Sequence, residues 1–132
     1  MTNATPLPRR LTNVGALLST DTEAAGVLWK LDGSDRGLDS NVVALSPGQH
    51  IERHAGAEVD VLLLVLSGNG SVDTADETIA LASGDLVWLP RYSERSFEAG
   101  ESGLIYLTVH QHRESLVVKP FRGDQDTNGQ VV

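Results

Sequence analysis

Along the chain, apolar residues come in short runs broken by glycine- and proline-bearing turns, and no run keeps a sustained 3.6-residue period. Gly26 to Leu31 (GVLWKL) is rich in strand formers and gives way to a loop, Asp32 to Gly37 (DGSDRG). Asn41 to Leu45 predicts a second strand, stopped at Pro47-Gly48. Ser46 to Ser71 reads SPGQHIERHAGAEVDVLLLVLSGNGS: a turn, a polar segment, an unbroken apolar run and a Gly-Asn-Gly turn, predicting two more strands. Ser71 to Thr74 and Thr78 to Leu81 form a hairpin around Ala75-Asp76-Glu77. Ser83-Gly84-Asp85 turns the chain into strand Leu86 to Leu89, which Pro90 breaks, and Arg95 to Glu98 and Gly103 to His110 complete the set. Leu11 to Ser19 fits an edge strand or a helical turn. Many short strands at regular spacing predict an all-β sandwich or barrel with very little helix. The expected organisation is a flexible arm over 1–10, a single barrel over 11–120 and a flexible polar tail over 121–132.

The run Val61 to Leu66 departs from the alternation of a strand with one wet face. If Val61, Leu63 and Val65 face the interior, Leu62, Leu64 and Leu66 face outward and need a cover, from the N-terminal segment or from a second subunit. A two-fold homodimer through this face is the economical expectation.

Composition narrows the function classes. At 132 residues, 40% hydrophobic and 21% charged, the chain suits one globular domain. A net charge of -8 argues against nucleic acid or anionic membrane as a partner. The absence of cysteine removes disulfides, thiolate nucleophiles and zinc–thiolate sites. The opening residues carry no apolar core of a signal peptide, and no apolar run approaches the roughly 20 residues of a membrane span. A cytoplasmic location is therefore expected.

Gly48, His54 and Gly68, followed by Gly84, Asp85 and Pro90 (GDLVWLP), resemble the two motifs of the cupin superfamily. The resemblance spans about Asn41 to Val109 and implies a double-stranded β-helix, a jelly-roll barrel. It also implies a metal site, and there this sequence diverges. His54 falls on the first histidine ligand, but Gly56 stands at the second, Val61 at the glutamate and Arg95 at the last histidine. A divalent ion wants three or more suitable donors, so no cofactor is expected. A shifted metal set is the alternative, drawn from His50, His54, Glu58, Asp60, His110 and His112, with solvated polar residues at a barrel mouth as the plain reading of the same positions.

Arg95 in the last ligand position matters more. Pointing inward, it would grip a carboxylate or phosphate at two points; alternatively it pairs with Glu58, Asp60 or Glu94 and fills the hole. His54 beside it is a candidate base. The resemblance implies a precedent in metal-free epimerases that use a histidine base and a tyrosine acid, for which Tyr92 and Tyr106 are the candidates. Val87, Trp88, Leu89 and Phe97 are available to line or plug the interior, and His54, Arg95, Trp88, Tyr92 and Tyr106 are the expected ligand-contacting set. Three classes follow: a metal-free binder of a small anionic or carbonyl-bearing molecule; an enzyme, as a His54-based isomerase or a metal-dependent dioxygenase or isomerase with shifted ligands; and a structural dimer with a closed barrel.

Overall fold

The computed structural model describes residues 6–19 and 25–113; the expected tail, the first half of the expected arm and residues 114–120 of the expected barrel lie outside them. One short helix, α1 (Val14–Leu18), precedes seven strands: β1 (Gly26–Lys30), β2 (Leu38–Leu45), β3 (His50–Ala55), β4 (Val61–Asp73), β5 (Thr78–Ala82), β6 (Leu86–Leu89) and β7 (Glu94–Gln111). All strand pairs are antiparallel. The fold is the all-β jelly-roll barrel expected from the sequence.

Two long strands carry the architecture. β4 and β7 run side by side from Val61↔His110 to Asp73↔Ser96. The first half of β4 and the second half of β7 form one sheet with β6 on one flank and β2 then β1 on the other. The second half of β4 and the first half of β7 form the facing sheet, flanked by β5 and β3. The chain turns from one sheet to the other where Gly68 pairs with Leu104 and Gly70 with Ala99, so residues 100–103 bulge opposite Asn69. Glycine is required there: Gly68 has φ of 82°, and a Cβ on it would overlap the Gly103 carbonyl.

The core is the space between the sheets. Val61, Leu63 and Val65 face it, as the sequence pattern predicts, together with Val43, Leu45, Leu89, Phe97, Leu104 and Tyr106. Each fully buried side chain of this size contributes roughly 1.5–3 kcal/mol. The Phe97 and Tyr106 rings stack at 5.7 Å with planes 13° apart. Thr108 donates a buried hydrogen bond of 2.6 Å to Asn41 Oδ1, which ties β7 to β2 with both polar groups satisfied.

Three features differ from the sequence expectation or sharpen it. The two predicted strands Arg95 to Glu98 and Gly103 to His110 are one continuous strand, because the glycines between them bulge without ending the ladder. Leu11 to Ser19 contains a helical turn, started by Asn13, whose Oδ1 accepts the Ala16 N–H at 3.0 Å. Trp88 does not line the interior. It pairs with Leu62 on the outer face and is 61% exposed. Because Leu89 pairs with Val61 and points inward, its neighbour must point out. Leu62 and Leu86 share that face and stay exposed, while Leu64 and Leu66 are half-buried.

Gly68→Ala should lower the unfolding free energy by roughly 3 kcal/mol through positive-φ strain and overlap at the sheet corner. Gly37→Ala, where a Cβ meets nothing within 4 Å, should leave it nearly unchanged. Urea denaturation of the two variants checks the contrast.

Candidate functional site

At the end of the barrel where β1 and β7 finish and β2 begins, a cleft of about 730 Å³ opens beside β3 and the following loop. Leu31, Ile51, Ala55, Ala57 and Val59 supply its apolar wall. Lys30, Arg53, Arg113, Asp39, Glu52, His54, His110 and Asn41 bring the polar chemistry. An apolar cleft with a few convergent polar groups is the form a small-molecule site takes.

The two cleft histidines are held alike. Nδ1 of His54 lies 3.0 Å from the Glu52 carbonyl oxygen, and Nδ1 of His110 lies 3.0 Å from that of Gln111. A carbonyl only accepts, so in each neutral ring Nδ1 carries the proton and donates, while Nε2 keeps its lone pair. Both rings therefore present the same chemical edge to a ligand. His54 sits on β3 directly opposite Arg95.

Arg95 points inward but does not reach the cleft. It is 1% exposed and is absent from the cleft wall. Its guanidinium lies against Gly56, so close that a Cβ on residue 56 would overlap Nη1. Nη1 donates to the Ser93 carbonyl at 2.8 Å and to Ser93 Oγ at 2.9 Å, while Nε and Nη2 are buried without partners among the described residues. Burial pushes its pKa below the ordinary arginine value. The ion pairs anticipated for Arg95 do not form. Glu94 takes Arg53 at 3.3 Å, Asp60 takes Arg91 at 3.5 Å and Glu58 takes Arg113 at 3.6 Å.

The other anticipated residues scatter. His50 is exposed opposite Glu98 and lies off the cleft. Asp60 accepts the Arg91 backbone N–H at 2.9 Å, and that bond, with the Arg91 side chain, holds its carboxyl below the usual range. Tyr92 is exposed at a φ of 64° and donates to Glu58 at 3.4 Å. Tyr106 is fully buried, its hydroxyl without a partner, and burial raises its pKa strongly. His112 sits beside the cleft with Nδ1 3.1 Å from Asp39 Oδ2. Burial opposes ionisation of Asp39, but hydrogen bonds from His112 and Arg36 outweigh it and hold the carboxyl below its ordinary pKa.

Among the described residues no group of three or more histidine or carboxylate side chains is placed to hold a divalent ion. At the positions where the resemblance would gather ligands, the Arg95 guanidinium lies against Gly56, which has no donor, and Val61 belongs to the apolar core. Sequence reasoning missed Lys30, Asp39, Arg53 and Arg113. Lys30, Asp39 and Arg113 lie at or near strand ends, and Arg53 lies where the β3 register shifts between Ile51 and His54, so alternation gives no hint of what they face.

Neither a protein-family model nor a curated protein sequence matches the chain. Solved structures do. The TT1209 protein of Thermus thermophilus is 21% identical with a TM-score of 0.64, covering 79% of this chain and 98% of that one. A cupin-2 domain protein of Shewanella frigidimarina is 14% identical with a TM-score of 0.59, covering 77% and 95%. The cupin domain of Schizosaccharomyces pombe Cnp3 is 15% identical with a TM-score of 0.58, covering 64% of this chain; the chain spans 63% of that domain's length, less than two thirds. At these identities the likeness establishes a cupin fold.

Asp39 supports stability only while ionised. Its folded pKa is lowered, so the contribution is present above the ordinary carboxylate pKa and is lost as pH falls through the folded value. Asp39→Asn should cost about 1 kcal/mol at pH 7, a deficit that vanishes in strong acid; urea denaturation across pH checks it. Residues 56 and 95 converge on one point, so Gly56→His/Arg95→His should bring imidazoles together near His54. Calorimetric titration should then detect Ni²⁺ binding that is absent in the parent chain and in either single variant.

Proposed function

We propose that this chain, a cupin barrel by fold, is a metal-free binder of a small carboxylate- or carbonyl-bearing molecule, working as a sensor or accessory protein. The observation that carries this is Lys30, a cation with no ion pair among the described residues, in a cleft that also holds two imidazoles. On a chain of net charge -8, the cleft gathers Lys30, Arg53 and Arg113 with two imidazoles against Asp39 and Glu52. Asp39 is already neutralised by Arg36 and His112, and Lys30 forms no ion pair among the described residues. Arg53 and Arg113 pair with Glu94 and Glu58, which leaves Lys30 as the cleft cation an anion would meet, while Ile51 and Val59 accept the apolar part of the same molecule.

The histidine-base isomerase is less favoured because the acid it needs is missing from the cleft wall. Tyr106 is sealed in the core, and the Tyr92 hydroxyl is engaged by Glu58. A fully closed barrel fits poorly with an open cleft of about 730 Å³.

Thermal melting against a panel of small carboxylates tests the proposal. A ligand at a hundred times its Kd adds about 2.7 kcal/mol, raising Tm by roughly 10 °C for a chain of this size. Lys30→Glu and His54→Ala should each remove most of that shift. If no carboxylate moves Tm at any attainable concentration, the cleft is not a carboxylate site.

A further inference from the structure

The buried Arg95 leaves two donors unmet, and which two they are is informative. Nη1 is tied to the carbonyl and hydroxyl of Ser93. The unpartnered atoms are Nε and Nη2, whose N–H bonds run parallel along one edge of the guanidinium. That edge matches the two oxygens of a carboxylate, each N–H taking one oxygen. A guanidinium stays charged in proteins, so burial without an anion leaves an unpaired charge, normally a strongly unfavourable arrangement. Gly56 lines the cleft, and its missing Cβ leaves room for the Nη1–Nη2 end of the guanidinium. Residues 56–60, between β3 and β4, belong to no strand.

We infer that Arg95 is the specificity residue of the cleft, a built anchor that takes a carboxylate side-on through Nε and Nη2 when the Gly56 segment moves aside. The inference rests on the cleft being an anion-binding site, and it goes further by setting the shape of the anion: planar, with two equivalent oxygens. Ser93 orients the fork, and Gly56 leaves room for it, since a Cβ at residue 56 would overlap the guanidinium in its present place. Where a metal-binding barrel would place a cation for its ligand to coordinate, this interior offers fixed N–H donors to an anion directly.

Acetate and formate are the probes, with chloride at matched ionic strength and neutral acetamide as controls. On the full chain, both carboxylates should raise Tm and both controls should not. Arg95→Lys keeps the charge but loses the fork, and should weaken acetate at least about tenfold, the loss of one good charge-assisted bond. Arg95→Met should abolish the response. Should these variants not fold, the ¹H–¹⁵N spectrum of the unaltered chain reads the same contact, because the Arg95 Nε–H signal should shift and saturate with acetate. If acetate binding depends on His54 and Lys30 while Arg95→Lys binds as the parent does, or the Nε–H signal stays put under saturating acetate, the inference is overturned and the cleft site stands. If no carboxylate binds the parent chain, both fall together.

Discussion

The antiparallel ladder between β4 and β7 is the constraint on which the molecule depends. Every other strand except β1 pairs with one of these two, and both pass through both sheets. Continuity around the corner depends on backbones approaching closely where Gly68 faces Leu104 and Gly70 faces Ala99. The same ladder sets the phase of each side chain. Val61 inward forces Leu89 inward, and Leu89 inward forces Trp88 out. A one-residue slip would exchange the two faces throughout.

Site and ladder are therefore coupled. β7 begins with the buried Arg95 and ends with His110 on the cleft wall, while its middle holds the stacked Phe97 and Tyr106. Packing of the middle fixes both ends. The guanidinium has the Ser93 turn on one side and Gly56 on the other, and β3 sets His54 opposite it in register. The polar groups of this interior are few, and each that remains unpaired is costly. Thr108 and Asn41 satisfy each other; Arg95 does not find a complete set of partners among the described residues.

Much of the fold was legible because turns and strands were written in residues with strong local preferences. Pro47-Gly48, Ser83-Gly84-Asp85 and Pro90 all end or begin strands where expected, and the Val61–Leu63–Val65 alternation named its own buried face. Other features depend on partners distant in sequence. Gly100 and Gly103 look like a strand break, but they bulge within a ladder held by β4. In Leu86–Leu89 either phase satisfies the local pattern, so the side on which Trp88 lies is settled only by pairing with Val61. The resemblance placed Arg95 at a ligand position and left its direction open; its inward turn, its sealing beneath Gly56, and the capture of nearby acids by Arg53, Arg91 and Arg113 required three-dimensional neighbours.

The abutment of Gly56 and Arg95 has a consequence for how such a chain can change. While the guanidinium occupies its present place, a side chain at residue 56 would overlap it, so substitution there requires the Arg95 side chain to shift or shrink. The two positions are therefore coupled across strands: the size of one side chain limits what fits at the other, so variation on the cleft rim near His54 is bound to the conformation of a residue at the start of β7.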